Sequence, residues 1–188
     1  AAQQAHLLLS LAPLPRRVFA TGGVELGLLR FALQHPVERI DLAIPDRRAF
    51  ELARPFLADE DRAALEDPRV RLLFDDPRRA LARGGETYDL VLLLEREPDT
   101  LLAARLSTVE FFRAAAARLD REDGVLVASL PVASAALAGE TAGLGASLWG
   151  ALREALPVAH AAPPPAALLV AGWSAQAATL DPGALAAR

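Results

Sequence analysis

The sequence contains no cysteine and no methionine, and only 5% of its residues are aromatic. Without cysteine, the chain can form no disulfide framework, and it can supply neither a thiol nucleophile nor a cysteine ligand for a metal. The lack of methionine, together with the opening AAQQAH, indicates that the chain is not an intact primary translation product. We therefore expect a fragment or a processed chain.

Long apolar runs and an excess of positive charge are also missing. No run approaches the ~20 apolar residues that a membrane-spanning helix needs. The net charge of -4 and the pI near 5.4 give no electrostatic argument for binding nucleic acid or an anionic membrane. With 53% hydrophobic and 23% charged residues over 188 positions, the composition is typical of one soluble globular domain.

Motifs of several common enzyme classes are missing as well. The histidines His6, His35 and His160 stand far apart and show no metal-binding spacing such as HExxH. His35 precedes a proline where a helix is predicted to end, so we expect it to cap that helix rather than bind a ligand. The sequence contains no nucleophile elbow and no P-loop.

Apolar runs alternate with helical patterns along the chain. YDLVLLL is apolar without alternation, which is typical of a strand buried on both faces of a parallel sheet. PRRALARGG begins with proline and ends with glycine, and STVEFF begins with a capping residue, as helices do. The remaining strand candidates are RVFAT, ERIDLAI, RVRLLF, GVLVASL, PVAH and AALLVAG. This order predicts a doubly wound α/β sheet with right-handed crossovers.

Ligands of such sheets bind at the carboxyl ends of the strands. Three predicted loops lie there: Thr21 to Gly27, Ile44 to Arg47 and Leu94 to Asp99. Glycine would let the backbone approach a ligand closely, and an acid after the second strand would bind ribose hydroxyls. The structural alternative is that the glycines form a tight turn and that the acids cap helices or lie in solvent.

The order and spacing of these blocks resemble the spermidine synthase family of polyamine aminopropyltransferases. The bacterial branch whose catalytic domain is often fused to membrane segments is the most similar. The segment PRRVFATGGVELGLLRFALQHPVERIDLAIPDRRAFELAR aligns without gaps with the family's strand, its GGGDGG loop and its HP-VE and VEID blocks. DPRVRL, YDLVLLLEREPD, LSTVEFF and LDREDGVLVASLP follow in the family's order.

The resemblance runs from about His6 to Gly172 and implies a Rossmann-like methyltransferase fold. That fold has a mostly parallel seven-stranded sheet with an antiparallel final strand. It implies one domain over residues 1–173, whose leading segment 1–15 lacks the family's N-terminal β-domain. We expect the Ala-rich tail 174–188 to be loosely held. The implied location is the cytoplasm, or the cytoplasmic face of a longer membrane protein.

The cofactor positions of the family are only partly kept. Gly22 and Gly23 match its glycine loop, whereas Val24 and Leu26 replace two other glycines. Glu25 takes the position of the aspartate that holds the methionine part of decarboxylated S-adenosylmethionine.

The ribose-binding glutamate of the family corresponds to Ile44, which offers no acceptor for a hydroxyl. Asp46 lies beside it, with a helix N-cap as its alternative role. Asp76 matches the acid of a Gly-Asp-Gly turn. If the site is functional, the resemblance implies that Gly22, Gly23, Glu25, Asp46 and Asp76 bind S-adenosylmethionine or its decarboxylated form.

This chain differs most from the family at the positions of the family's reaction centre. Aminopropyl transfer needs a base for the attacking amine and carboxylates for a cationic polyamine. The family's aspartate at the end of the fourth strand corresponds to Leu94, and its second acid to Glu97. The family's His-Glu pair corresponds to Ala1 and Ala2. A further histidine of the family, later in the sequence, corresponds to His6. Glu95, Glu97 and Asp99 form either a shifted amine site or a solvated acidic turn.

These replacements favour a catalytically degenerate spermidine synthase-like domain that acts as a non-catalytic binding or interaction module. We expect the domain to dock on another chain (a protein partner or a second copy), or on a missing segment of its own. The docking surface would lie near His6 to Leu14, where the family's N-terminal domain would lie. The alternative is an active transferase, either an aminopropyltransferase or a methyltransferase. It would use S-adenosylmethionine or its decarboxylated form, with contacts rebuilt around Glu25, Asp76 and Glu97.

Overall fold

Seven strands form a single sheet in the computed structural model, which describes residues 2–24, 27–94, 105–130, 139–162 and 167–186. The strands are β1 (Arg17–Gly22), β2 (Arg39–Ala43), β3 (Val70–Leu73), β4 (Leu90–Leu94), β5 (Val125–Ser129), β6 (Val158–Ala162) and β7 (Leu168–Gly172). The helices are α1 (Ala2–Ser10), α2 (Leu28–Ala32), α3 (Arg47–Ala53), α4 (Asp59–Leu65), α5 (Pro77–Arg83), α6 (Val109–Ala116), α7 (Gly139–Ala155) and α8 (Pro182–Ala186). Short 3-10 turns lie at Arg54–Phe56 and Arg105–Ser107.

The strand order is β3-β2-β1-β4-β5-β7-β6. Strands β1 to β5 are parallel to one another, and β7 runs antiparallel to both β5 and β6. This topology confirms the predicted doubly wound sheet with an antiparallel final strand. The order reverses between β1 and β4, so the switch point, where such folds bind ligands, lies between Gly22 and its register partner Leu94.

The core divides between the two faces of the sheet because successive strand residues point to opposite sides. Val18 of β1 belongs to one cluster, together with residues of α1, α2 and α4. Its neighbour Phe19 belongs to the other, together with residues of α5, α6 and α7. Every residue of β4 is buried, as expected for a strand covered on both faces.

The helix ends follow the predicted signals in two cases. Thr108 caps α6, with its Oγ1 accepting from the amide of Phe111 at 3.3 Å. Pro77 is the first residue of α5 and Gly84 ends it. The apolar spacing of Leu29 and Leu33 in ELGLLRFALQH predicts a longer helix than α2, which follows Gly27 in a left-handed conformation with φ of 71°. The helical geometry therefore begins only at Leu28.

The beginning of the Ala-rich tail packs against the core, contrary to the expectation of a loosely held tail, whereas Asp181 to Ala184 are exposed. Ala177 and Ala178 are fully buried and belong to the core cluster of α1 and α2. The amide of Ala177 donates to Ser174 Oγ, and that hydroxyl donates to the carbonyl of Glu122. Alanine suits this position because its small side chain fits close to β7, where a Cβ added at Gly172 would lie 3.0 Å from Ala178 Cβ. The division of the chain at residue 173 stays a prediction.

Helix α3 buries none of its residues. Only Phe50 is partly buried, packed against the core. Leu52 on α3 and Phe56 on the following 3-10 turn are exposed.

Among the helices of the described residues, none is both long and apolar enough to span a bilayer.

Candidate cofactor site at the carboxyl edge of the sheet

The turn between β1 and α2 is built by three glycines with positive φ. Gly22, Gly23 and Gly27 have φ of 75°, 80° and 71°. The amide of Gly27 donates to the carbonyl of Val24 at 3.1 Å, which closes the turn. Glycine is required here for conformation, because L side chains rarely adopt these angles. The sequence expectation of a glycine-built turn after the first strand is thus met.

Leu94 fills the space above this turn at the end of β4. A Cβ added at Gly23 would lie 3.0 Å from Leu94 Cδ1 and 3.2 Å from Leu28 Cδ2. Leu94 is 7% exposed and belongs to the same apolar cluster as Leu28, with Val24 packed against it. The switch point therefore carries an apolar lining at Leu94.

Ile44 continues this apolar lining after β2. It is 7% exposed and belongs to the same cluster as Leu94. Its amide donates to the carbonyl of Leu73 at 2.8 Å, which extends the pairing of β2 with β3 by one residue. The side chain of Ile44 is thus part of the core and has no polar atom to offer.

Two of the predicted cofactor acids serve as helix caps. Asp46 Oδ1 accepts from the amide of Ala49 at 2.9 Å and caps α3. Asp76 Oδ1 accepts from the amide of Arg78 at 2.8 Å and caps α5. The cap is the structural alternative that the sequence allowed for Asp46. Beside Asp76, Asp75 pairs with Arg79 at 2.9 Å and with Arg83 at 2.7 Å.

Several predicted site residues lie outside the described residues. They are Glu25, Leu26, Glu95, Glu97 and Asp99, together with Ala1. The proposed roles of Glu25 and Glu97 in cofactor or amine binding therefore stay predictions. Within the described ranges, no three histidine, cysteine, aspartate or glutamate side chains are grouped so that they could hold a metal ion.

His6 and His35 form a pair that the sequence analysis did not foresee. His6 Nδ1 lies 2.9 Å from His35 Nε2, and the ring centroids are 5.2 Å apart. The amide of His35 donates to the carbonyl of Ala32, the last residue of α2, at 3.0 Å, whereas the ring of His35 hydrogen-bonds to His6 on α1. Burial, and then the neighbouring His6, lower the pKa of His35 below its ordinary value.

A buried polar network on β2 also escaped the sequence analysis. Asp41 is 0% exposed, and its carboxylate accepts from Arg39 at 3.0 and 2.9 Å, from Arg71 at 2.9 and 2.8 Å, and from the Tyr88 hydroxyl at 2.8 Å. Burial alone would raise the pKa of Asp41, but these hydrogen bonds outweigh it, so that pKa lies below its ordinary value. Burial, and then Asp41, raise the pKa of Tyr88.

The signal for this network was present in the sequence as charged residues inside predicted strands. Asp41 interrupts the apolar run ERIDLAI, and Arg71 interrupts RVRLLF. The two residues are register partners on β2 and β3. The sequence therefore shows an acid in one predicted strand and an arginine in the next. It does not show the register that places the two residues side by side.

Comparison with solved structures places the chain in the Rossmann-like methyltransferase fold. The chain is similar to a spermidine synthase crystallised with the transition-state analogue AdoDATO, with a TM-score of 0.76 and 22% identity over 92% of this chain and 59% of that one. It is also similar to human methyltransferase-like protein 13 in complex with SAH, with a TM-score of 0.65 and 19% identity over 98% of this chain and 83% of that one. At these identities the likeness concerns the fold.

The sequence comparisons identify the family. The spermine/spermidine synthase domain matches residues 3–132, and this chain belongs to that family. It is 34% identical over 113 residues to the polyamine aminopropyltransferase of Korarchaeum cryptofilum, covering 60% of this chain and 35% of that protein. The chain thus spans about a third of the length of this curated relative.

Proposed function

We propose that this domain is a catalytically degenerate member of the family that acts as a non-catalytic binding or interaction module. The observation that supports this proposal is the packing of Leu94 at the switch point, between the glycine turn and the apolar cluster. A cytoplasmic location, expected from the resemblance, is part of the proposal.

The apolar lining of the switch point is unfavourable for the transfer of an aminopropyl group to an amine. A leucine at position 94 can neither accept a proton from an attacking amine nor pair with an ammonium group. A positioned general base contributes about 10² to 10⁴ in rate, so its loss alone would reduce turnover by that factor. A cationic diamine placed against Leu94, Leu28 and Val24 would also lose its hydration without gaining a polar partner.

The lining also opposes nucleoside binding. Ile44 has no acceptor for a ribose hydroxyl, and Asp46 already accepts from the amide of Ala49. A hydroxyl buried without a partner costs roughly 1–3 kcal/mol, which weakens binding by about one to two orders of magnitude. We therefore expect S-adenosylmethionine and its decarboxylated form to bind weakly or not at all.

An active transferase is the second candidate function. The retained backbone of the β1–α2 turn favours it, because positive φ at Gly22, Gly23 and Gly27 is the conformation that a close cofactor approach would use. Glu25 and Glu97 would then replace the lost acids, and the substrates would be S-adenosylmethionine or its decarboxylated form with an amine acceptor.

Titration calorimetry with both cofactors and mass-spectrometric detection of aminopropyl transfer to putrescine test the proposal. We expect no micromolar dissociation constant and no product from the unmodified chain. In the double variant Leu94→Asp and Ile44→Glu, we expect some cofactor binding to return. Turnover by the unmodified chain that disappears in Glu97→Gln but persists in the control Glu122→Gln would establish the transferase instead.

A further inference from the structure

The histidine pair of α1 and the turn after α2 lies outside the candidate cofactor site. Gly27 precedes α2 and His35 follows it, so the glycine turn and the pair lie at opposite ends of that helix. His6 Nδ1 faces His35 Nε2 at 2.9 Å, and both side chains are only half-buried, so solvent and ions can reach them. Histidine is the commonest metal ligand in proteins, and it binds through the lone pair of a ring nitrogen. Two facing ring nitrogens therefore have the chemistry of a chelate.

The backbone that carries the two rings is held in place on both sides. His6 lies within α1, which packs against α2. The amide of His35 donates to the carbonyl of Ala32 at 3.0 Å, and the carbonyl of His35 accepts from the amide of Val37 at 2.7 Å. Ligands on elements that are already packed together need little ordering when an ion binds.

The outer nitrogens of the two rings leave the tautomers free to change. His6 Nε2 and His35 Nδ1 have no hydrogen-bond partner among the described residues. A neutral imidazole carries one hydrogen, and it can lie on either nitrogen. When both hydrogens lie on the outer nitrogens, the facing nitrogens present lone pairs to each other, and a cation between them replaces this repulsion with two bonds. The pair reaches that state by giving up only its own hydrogen bond.

We propose that His6 Nδ1 and His35 Nε2 together bind a divalent transition-metal ion that prefers ligands at right angles, such as Cu²⁺ or Ni²⁺. Bonds from imidazole to a divalent metal are about 2.0–2.1 Å long, so two nitrogens at right angles lie about 2.9 Å apart, against roughly 3.4 Å at the tetrahedral angle of zinc sites. The observed separation of 2.9 Å matches the right angle. That angle belongs to the tetragonal sites of Cu²⁺ and Ni²⁺. The rings need only turn until both lone pairs converge on the ion.

The donor set also decides which ions the pair does not take. Ca²⁺ and Mg²⁺ need oxygen ligands, which two imidazoles do not supply. Within the described ranges, no third histidine or carboxylate joins the pair. The ion therefore keeps several positions for water and stays exchangeable. This site does not depend on whether the domain is catalytic or binds a cofactor.

Titration calorimetry of the tag-free, chelator-treated chain with CuCl2 tests this inference. We expect a single saturable Cu²⁺ site, which His6→Gln and His35→Gln each weaken about tenfold or more, because one imidazole cannot chelate. In the double variant the second substitution should add little to the first, since both ligands act as one site. His160→Gln is the matched control, because His160 is an exposed histidine on β6, and it should leave the site unchanged.

Electron paramagnetic resonance gives a readout on the unmodified chain that needs no variant. We expect bound Cu²⁺ to show hyperfine coupling to two imidazole nitrogens. Cu²⁺ should also raise the urea midpoint of the unmodified chain but not that of His35→Gln, and circular dichroism would verify that the variants fold. The inference is overturned if Cu²⁺ does not saturate a site, if fewer than two imidazole nitrogens are coupled, or if His6→Gln and His35→Gln bind as the unmodified chain does.

Discussion

Gly23 is constrained both by its backbone and by its neighbour across the switch point. Its φ of 80° disfavours any side chain, and a Cβ would lie 3.0 Å from Leu94 Cδ1. We expect Gly23→Ala to lower the free energy of unfolding by about 1–2 kcal/mol from the backbone alone, with a further loss from the contact. Urea unfolding followed by circular dichroism measures this change.

Two further variants separate the conformational cost from the contact. Gly85→Ala is the matched control, because a Cβ at Gly85 meets nothing within 4 Å; we expect its effect to be small. In a double-mutant cycle with Leu94→Ala, the loss of stability caused by contact between the methyl group introduced at Gly23 and Leu94 should disappear. The loss caused by the positive φ should remain. If Gly23→Ala is neutral in the unmodified background, the proposed strain at this turn is wrong.

Asp41 joins two arginines and a tyrosine inside the sheet. Asp41→Asn would leave Arg71 without its charge partner and Arg39 with Glu86 alone, so we expect it to lower the free energy of unfolding by about 3 kcal/mol. Tyr88→Phe removes a single hydrogen bond and should cost about 1 kcal/mol. The exposed Asp59→Asn, whose carboxylate pairs with Arg62, should change stability by less than about 1 kcal/mol. Equal effects of Asp41→Asn and Asp59→Asn in urea unfolding would contradict this account.

The same network makes stability depend on acid pH. The pKa of Asp41 is lower in the folded chain than its ordinary value. Its contribution to stability is therefore complete above the ordinary pKa of about 4 and declines as the pH falls through the folded pKa. We expect the free-energy difference between the unmodified chain and Asp41→Asn, measured by urea unfolding, to shrink as the pH falls below about 4. A difference that stays constant over this range would rule out titration of Asp41 as the cause.

At the scale of elements, the His6–His35 pair links α1 to the turn after α2. The pKa of His35 lies below its ordinary value, so protonation favours the unfolded chain. Its contribution to stability is present at neutral pH and is lost as the pH falls below the ordinary pKa of about 6.5. We expect the urea midpoint to decrease measurably between pH 7.5 and pH 5.

His6→Gln should reduce that decrease, because it removes the partner ring that adds to the pKa shift of His35. His160→Gln is the control: His160 lies exposed on β6, and we expect the pH dependence to persist without it. A pH dependence that disappears in the His160 variant and survives in the His6 variant would contradict the assignment.

The elements that the sequence predicts well are those whose pattern reflects burial. Continuous apolar runs identified strands such as β4. A proline at the start and a glycine at the end identified helix α5. The pattern failed where tertiary packing decides the outcome. Phe50 and Ala53 lie on one face of the helix that DRRAFELARPFL predicts, yet only Phe50 is partly buried. Periodicity shows that a helix has an apolar side but not whether another element covers it.

At the scale of the whole molecule, the tail closes the core beside β7. Ala178→Asp would place a charge where the side chain is fully buried. We expect a loss of more than about 3 kcal/mol in the free energy of unfolding, measured by denaturant titration. Ala184→Asp, at an exposed position of α8, is the control and should be nearly neutral. Comparable stability of the two variants would mean that the tail is not part of the core.

Much of the candidate site could be placed from the sequence because the topology fixes where strand ends meet. The predicted order put the loops after the first, second and fourth strands together, and Gly23 and Leu94 do lie against each other. The side-chain roles could not be fixed in the same way. From the sequence, Asp76 could be either a cofactor ligand or a helix cap. The structure shows the cap, because the amide of Arg78 donates to the Asp76 carboxylate at 2.8 Å. The polar network of Asp41 depends on strand register, which single-strand patterns do not specify.

The network around Asp41 also bears on the order of events in folding. Its members are separated by 30 residues to Arg71 and by 47 residues to Tyr88, so it can form only when three distant parts of the chain have already met. Because closing such long loops costs chain entropy, we expect these contacts to form after the main barrier to folding has been crossed. Loss of the Asp41 carboxylate would then leave the refolding rate nearly unchanged and accelerate unfolding, so the network governs how long the native state persists once it has formed.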